Sequence, residues 1–119
     1  MKRRRLEQEL QKTIFAHVAA RATRGSVILH TPNGGFRSRA EAAIMASLGI
    51  KRGLPDIFGL RAGELIAIEL KSPTGRLSKH QCETIAELTA AGCMVRVIDN
   101  IDDAVAWLEK LGFLKGRAQ

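Results

Sequence analysis

Three residues of this sequence have side chains suited to metal-assisted phosphate chemistry: Asp56, Glu69 and Lys71. Apolar, strand-forming residues surround all three, and the dipeptide Ala62-Gly63 lies midway between the two acids. Strand-like segments on both sides of a short, glycine-containing turn are typical of a β-hairpin. The sequence therefore predicts that the two acids lie on neighbouring antiparallel strands.

The register of this predicted hairpin decides whether the acids meet. A turn that is symmetric about residues 62 and 63 pairs Arg61 with Glu64, and the same count continued outward pairs Asp56 with Glu69. Directly opposed residues on antiparallel strands have Cβ atoms about 4.5 to 5.5 Å apart. Two carboxylates at that distance repel each other unless a cation lies between them. We therefore expect a divalent ion there, and hard oxygen ligands of this kind suit Mg²⁺ or Mn²⁺.

Glu69 and Lys71 share one face of the second predicted strand, because side chains two positions apart point the same way. The apolar side chains at 66, 68 and 70 point to the other face, where they can be buried. On the open face, Lys71 would hold an attacking water or hydroxide and offset charge on a phosphate. The alternative is that this Glu-x-Lys pair only solubilises an exposed strand. The matching position of Asp56 favours the chemical interpretation.

The rest of the pattern predicts how these strands are held. Apolar residues recur at helical spacing from Leu6 to Val18, which indicates a first helix. Ser38 and Ser78 are candidate N-caps of two later helices. The order α-β-α-β-β-α-β-α predicts an α/β fold with a sheet flanked by helices. The expected helices cover residues 4–21, 38–48, 78–91 and 101–111, and the expected strands 26–30, 55–61, 65–71 and 93–98.

Length and charge limit the possible functions. The 119 residues suffice for one domain, to which we assign residues 1–119, with a loosely held tail from about Gly112. Nineteen Lys and Arg residues against twelve Asp and Glu give a formal charge of +7, which favours a polyanionic partner such as nucleic acid. The basic run at residues 2–5 is either a DNA-contacting arm or a solvated terminus. Because no apolar run approaches the roughly 18 residues of a membrane span, we expect an intracellular protein. Cys82 and Cys93 lack metal-ligand spacing, and we expect reduced, partly buried thiols.

Several stretches resemble the PD-(D/E)xK nuclease superfamily and, within it, the VRR-NUC (virus-type replication-repair nuclease) family. The resemblance implies a restriction-endonuclease-like core with a mixed β-sheet flanked by helices. It also covers the loop after the first strand, the approach to the hairpin and the loop and helix that follow it. The matching stretches are Gly53-Leu54-Pro55-Asp56, Ile68-Glu69-Leu70-Lys71-Ser72 and Gln81, together with residues 30–37, 48–56 and 75–81.

The resemblance also implies roles for individual residues. Asp56 and Glu69 would be metal ligands, joined by the backbone carbonyl of Leu70 and by a glutamate of the first helix. We assign that glutamate to Glu7, which stands four residues before Gln11 as the family's helix pattern suggests. Glu9 is the alternative ligand.

Lys71 would take the family's catalytic lysine role. Gln81 would be a supporting glutamine that orients Lys71, a water or a phosphate. Four basic residues near the loops are expected to contact DNA phosphates, where each adds salt-sensitive affinity. They are Arg37, Arg39, Lys51 and Arg52. The three histidines are expected to be structural or surface residues: His17, His30 and His80.

The implied activity is divalent-metal-dependent hydrolysis of DNA by a structure-specific endonuclease. Stand-alone domains of this family resemble enzymes that cut branched DNA. A small domain with one active site would need a two-fold dimer to cut both strands of a four-way junction. We therefore predict a homodimeric Holliday-junction resolvase. The alternatives are cleavage of flaps or replication forks, and a non-cleaving DNA-binding subunit of a repair or phage replication assembly.

Overall fold

A mixed four-stranded sheet and four helices make up the computed structural model, which describes residues 2–31, 38–49 and 51–116. The predicted order of elements is confirmed, and their bounds differ from the prediction by at most two residues. The helices are α1 (Lys2–Arg21), α2 (Arg39–Ser47), α3 (Lys79–Ala90) and α4 (Ile101–Lys110). The strands are β1 (Val27–His30), β2 (Ile57–Arg61), β3 (Glu64–Leu70) and β4 (Met94–Ile98).

The strands lie in the order β1-β2-β3-β4. The pairs β1–β2 and β2–β3 are antiparallel, and the pair β3–β4 is parallel. A parallel pair needs a crossover, and α3 supplies it between β3 and β4. This arrangement makes β3 an inner strand, with Asp56 just before its antiparallel neighbour and α3 starting shortly after its end.

The hairpin has the predicted register. Residues 62 and 63 both have positive φ angles, 51° and 79°, as expected for a two-residue turn whose twist matches the strands. The ladder runs outward from this turn to the pair Ile57 and Ile68. The next positions outward are Asp56 and Glu69, so the turn brings these two residues opposite each other.

The hydrophobic core lies between one face of the sheet and the helices α1 and α4. Ile14 of α1 and Trp107 of α4 are buried there, and Leu111 packs against the cluster. Residues 66–70 of β3 are all buried, including those on the face away from this core. Glu69 lies on the face opposite Ile66, Ile68 and Leu70, as the alternation predicts, but it is buried there, where Gln81 of α3 contacts it.

The tail also differs from its prediction. Phe113 and Leu114 are each 2% exposed and belong to the core. Leu114 forms a β-bridge with Ala22, and the Phe113 ring lies over Gly59, where an added Cβ would meet its Cε1 atom at 2.9 Å. The expectation of a loosely held tail is wrong for residues 112–116. Phe113 and Leu114 stand alone as apolar residues after α4 and show no periodicity. The sequence therefore does not indicate that they complete the core.

Other expectations are met in part. Leu6 is 46% exposed, so the core-facing stripe of α1 begins at Leu10. Both cysteines are free, as predicted; Cys93 is buried, whereas Cys82 is exposed and not partly buried. In the described part of the chain, none of the helices has the length and apolar character needed to cross a membrane.

Candidate active site

Asp56 accepts backbone hydrogen bonds at both its carboxylate and its main-chain carbonyl. Its Oδ2 atom accepts a hydrogen bond of 2.7 Å from the backbone N–H of Leu70. Its own carbonyl accepts one of 2.8 Å from the N–H of Thr31, whose hydroxyl donates to the carbonyl of Pro55. The segment that precedes β2 is thereby fixed to the end of β1 and to the end of β3, and the Asp56 side chain is held toward β3.

Glu69 is the most buried member of the site. Its side chain is only 3% exposed. The Oε2 atom accepts a hydrogen bond of 3.1 Å from Gln81 Nε2 and lies 3.7 Å from Lys71 Nζ. The Oε1 atom is buried and has no hydrogen-bond partner among the residues that the structure describes. One oxygen of this carboxylate is satisfied and the other lacks a proton donor or a cation.

The two acids influence each other's protonation. Burial raises the pKa of Glu69 to about 8, helped by the negative charge of Asp56, while Lys71 opposes the shift. Burial also raises the pKa of Asp56 above its usual range, against the Leu70 hydrogen bond that lowers it. The two carboxyl groups are close enough to share a hydrogen bond when one of them is protonated. Burial and the mutual repulsion of the two carboxylates therefore favour a proton or another cation on this pair.

A divalent ion fits this arrangement. Two paired carboxylates, one with a buried and unsatisfied oxygen, offer the hard oxygen ligands that Mg²⁺ and Mn²⁺ take, together with waters and substrate phosphate. Within residues 2–31, 38–49 and 51–116, no set of three or more His, Cys, Asp or Glu side chains is arranged to hold a metal ion. The structure therefore presents a two-carboxylate site, and a third acidic ligand would have to turn toward the pair from a neighbouring position.

Glu7 lies next to this pair, whereas Glu9 does not. The Glu7 Oε2 atom accepts a hydrogen bond of 3.2 Å from the backbone N–H of Ser72, directly after Lys71. Its negative charge contributes to the raised pKa values of both acids of the pair. Glu9 is 63% exposed in its side chain and forms an ion pair with Lys12. Of the two candidates, only Glu7 is near enough to join the site.

Gln81 contacts Glu69, whereas the sequence suggested Lys71, a water or a phosphate. Its Oε1 atom accepts a hydrogen bond of 2.8 Å from the N–H of Ser78, and the Ser78 hydroxyl accepts one of 3.1 Å from the N–H of Gln81. This complete capping box leaves the Nε2 group of Gln81 to donate to Glu69. Ser followed by Gln at the third helical position indicates a capping box in the sequence. The sequence did not indicate that the amide of this Gln also contacts Glu69.

A second contact from α3 escaped the sequence analysis. Thr84 is buried, and its hydroxyl donates a hydrogen bond of 2.5 Å to the carbonyl of Arg52. The adjacent Gly53 has a φ of 71°, and a Cβ there would lie 2.4 Å from the carbonyl oxygen of His80. Only glycine allows the chain to pass this close to α3. The first turns of α3 therefore hold both Glu69 and the segment that leads into Asp56.

The acid pair opens into a cleft of about 1450 Å³ between α1, α2 and the segment before β2. Basic residues lie along it, which suits a polyanionic ligand. Two of the four predicted DNA contacts line the cleft: Lys51, which pairs with Glu87 at 2.8 Å, and Arg52, which lies 3.2 Å from His80 Nε2. Arg39 is exposed at the start of α2 and does not line the cleft, and Arg37 lies outside the described residues.

The histidines take different positions. His30 and His80 line the cleft, and the His30 ring packs edge-on against Phe15 with 6.2 Å between ring centroids. His17 lies on α1 and does not line the cleft. None of them bonds to the acid pair among the described contacts, which agrees with their interpretation as structural or surface residues.

The sequence model of the VRR-NUC domain family matches residues 4–100 of this chain. A solved structure described as a VRR_NUC domain protein superposes with a TM-score of 0.71 at 24% sequence identity, covering 95% of both chains. A second, described as a VRR_NUC domain, has a TM-score of 0.57 at 18% identity and covers 87% of this chain and 95% of its own. No curated protein is significantly similar. These structural likenesses support the fold, and the family match covers both acids, Lys71 and Gln81. The chain belongs to the VRR-NUC family of the PD-(D/E)xK nuclease superfamily, whose members are generally dependent on divalent metal ions.

Proposed function

We propose that this chain is a divalent-metal-dependent DNA endonuclease that hydrolyses phosphodiester bonds. The observation that carries the proposal is the state of Glu69: one carboxylate oxygen is buried without a partner beside Asp56, and the other lies 3.7 Å from Lys71 Nζ. Burying a carboxylate in this way is costly unless a positive charge compensates it. A divalent ion in a basic cleft provides that charge.

Asp56 and Glu69 would hold Mg²⁺ or Mn²⁺, with the backbone carbonyl of Leu70 and the carboxylate of Glu7 as the further protein ligands. When bound, the ion supplies Lewis-acid chemistry, lowering the pKa of water and offsetting charge on the phosphate. Glu7 lies close enough for this role, since its Oε2 atom accepts a hydrogen bond from the backbone N–H of Ser72, two residues after the end of β3.

Lys71 acts on the water and on the phosphate. Its side chain is 15% exposed, so the ammonium group lies at the floor of the cleft and is shielded from bulk water. There it orients a water for in-line attack and stabilises the negative charge that develops on the phosphate oxygens. Gln81 keeps the Glu69 carboxylate in one orientation, which leaves the second oxygen free for the ion.

The preferred substrate that we propose is a four-way DNA junction, cut by a homodimer. A row of exposed apolar residues supports a second copy of the chain as partner. Val27 pairs with Leu60, and Leu60 with Leu65, so the three lie side by side across β1, β2 and β3. They are 55%, 47% and 38% exposed. A self-complementary apolar face is what a two-fold interface uses.

Cleavage of labelled DNA tests the proposal. Wild-type protein, Glu69→Ala and Lys71→Ala are incubated with a four-way junction, a flap and a linear duplex in Mg²⁺ or Mn²⁺. We expect metal-dependent cleavage by the wild type alone, with paired symmetric cuts in the junction. Preferential cleavage of the flap would favour the flap or fork nuclease. Tight binding by all three proteins without cleavage by any would instead identify a DNA-binding module.

A further inference from the structure

Helix α1 has one face toward the hydrophobic core and another toward the cleft. One face packs on the core through Leu10, Ile14 and Val18. A second face lines the cleft from Arg4 to Phe15. With 3.6 residues per turn, four of its six cleft-lining residues fall within one narrow stripe about 16 Å long: Arg4, Gln8, Gln11 and Phe15. Glu7 and Lys12 line the cleft on either side of this stripe.

The charges at the start of α1 are unfavourable for the helix itself. Residues 2–5 are all basic, and the first turn contains no acidic residue. A helix N-terminus carries a partial positive charge, so cations there destabilise the helix and anions stabilise it. The basic run, for which the sequence allowed either a DNA-contacting arm or a solvated terminus, is thus part of a helix. A polyanion beside it would offset the repulsion between its cations and the helix N-terminus.

Of these four cations, Arg4 lines the cleft, and the other three do not. Lys12, eight residues further along α1, also lines it, which puts the two about 12 Å apart along the helix axis. Successive charges on one DNA strand are about 3.4 Å apart along the axis, so the two side chains span three or four phosphates. Lys51 and Arg52 line the same cleft from a different segment, the one that leads into Asp56, and the acids line it as well.

We propose that α1 forms one wall of a track for a single DNA strand, in which Arg4 and Lys12 bind backbone phosphates on the opposite side from Lys51 and Arg52. This inference rests on the proposed nuclease function. Three carboxylates at the floor repel the phosphates of a substrate, and cations on one wall alone would draw the strand away from the acid pair. Cations on both walls keep it centred over Asp56, Glu69 and Lys71.

The chain provides a closely matched test, since Arg5 is adjacent to Arg4 on the same exposed first turn but does not line the cleft. Binding of fluorescently labelled single-stranded DNA is measured with EDTA at several salt concentrations, so no cleavage occurs. For Arg4→Gln we expect affinity about fivefold weaker and a salt dependence reduced by about 0.7 in log–log slope. For Arg5→Gln we expect less than a twofold change and an unaltered slope.

A second pair repeats the comparison away from the helix end. Lys12→Gln should weaken binding as Arg4→Gln does, whereas Lys110→Gln, at the last residue of α4, should not. Equal losses of DNA affinity within each pair of variants would overturn the inference, because they would mean that only net charge matters. If metal-dependent cleavage persists in that case, the proposed function still stands. Unequal losses in a protein that never cleaves support the strand track and overturn the nuclease.

Discussion

At the scale of single residues, the central feature is that Glu69 is buried without full compensation. A solvent-facing carboxylate would need no ion, and one with two hydrogen-bonded oxygens would have no vacancy for a ligand. Glu69 has Gln81 and Lys71 on one oxygen, and while Asp56 is ionised its other oxygen receives no hydrogen bond from the described residues. If this oxygen is kept for a cation, as proposed, the metal-free protein loses stability by burying it, and this loss of stability can be measured.

The pH dependence of stability measures the free energy lost by burying the Glu69 carboxylate. The folded-state pKa of Glu69 is about 8 against an ordinary 4.5, so between these values the folded chain holds a proton that the unfolded chain has lost. The free energy of unfolding of the metal-free protein should therefore fall as pH rises from about 5 to 8. Thermal melts in EDTA should show this fall in the wild type and a flatter profile in Glu69→Gln, whose Tm at pH 8 should be about 5 °C higher.

The matched control for this experiment is Glu64→Gln, which removes an exposed acid at the other end of β3. It should follow the wild-type profile. Added Mn²⁺ should raise the wild-type Tm more at pH 8 than at pH 5, because the ion competes with the proton for the same pair. A wild-type Tm that rises steadily from pH 5 to 8 in EDTA would show that Glu69 is not strained in this way.

Lys71 provides a second prediction at this scale. Lys71→Met keeps an unbranched side chain only one atom shorter and removes the charge, so cleavage should slow about a hundredfold to a thousandfold, the size of effect seen when one electrostatic stabiliser is lost. DNA affinity should change by less than about threefold. Single-turnover cleavage and binding assays separate the two, and Lys79→Met, an 88% exposed lysine, is the control. Cleavage unchanged in Lys71→Met would remove this residue from the mechanism.

At the scale of elements, the hairpin brings the acids together and α3 fixes their orientation. The helix reaches Glu69 through Gln81, and it reaches the segment before Asp56 through Thr84 and the close approach at Gly53. Both proposed metal ligands, Asp56 and Glu69, thus depend on the first turns of one helix. Outer groups that orient metal ligands typically affect metal affinity strongly although they never touch the ion.

Thr84 tests this dependence. Thr84→Val keeps the shape of the side chain but leaves the Arg52 carbonyl without its buried donor, which should lower the free energy of unfolding by about 1 kcal/mol. The Mn²⁺ concentration for half-maximal cleavage should rise about threefold to tenfold. Thr84→Ser retains the hydroxyl and should restore the wild-type metal requirement even if its stability is reduced. A metal requirement that follows stability in both variants would mean that Thr84 only supports the fold.

Features of the fold and of the candidate site could be predicted from the sequence where neighbouring residues determine them. The hairpin register follows from the turn at Ala62-Gly63, and the start of α3 follows from Ser78, since both rest on neighbouring residues. The burial of Glu69, the partner of Gln81 and the packing of Phe113 were missed because they depend on how α3 and the chain after α4 dock on the sheet. Docking of this kind leaves no periodicity in the sequence.

At the scale of the whole molecule, charge and exposed apolar surface point to two different partners. The charge of +7 and the basic cleft suit DNA. The row of Val27, Leu60 and Leu65 lies on β1, β2 and β3, where an apolar face in water favours association. A dimer formed through this row would account for both features in an enzyme that cuts two strands.

Substitution in the middle of the row tests the dimer. In Leu60→Glu two like charges would approach each other across the two-fold axis, so the dimer dissociation constant should rise more than about tenfold. Sedimentation equilibrium measures this, with Ile44→Glu, a 60% exposed residue of α2, as the control. The monomer should nick junctions instead of making paired cuts. A dimer unaffected by Leu60→Glu, or weakened equally by Ile44→Glu, would require another interface.

The central claim is that Asp56 and Glu69 share a divalent ion, and anomalous diffraction from crystals soaked in Mn²⁺ at pH 8 tests it most directly. The account predicts a strong anomalous peak within about 2.0 to 2.3 Å of oxygens from both carboxylates, lost in Glu69→Gln crystals. A well-ordered Mn²⁺ bound elsewhere, with the two carboxyl groups still bonded directly to each other, would contradict the account.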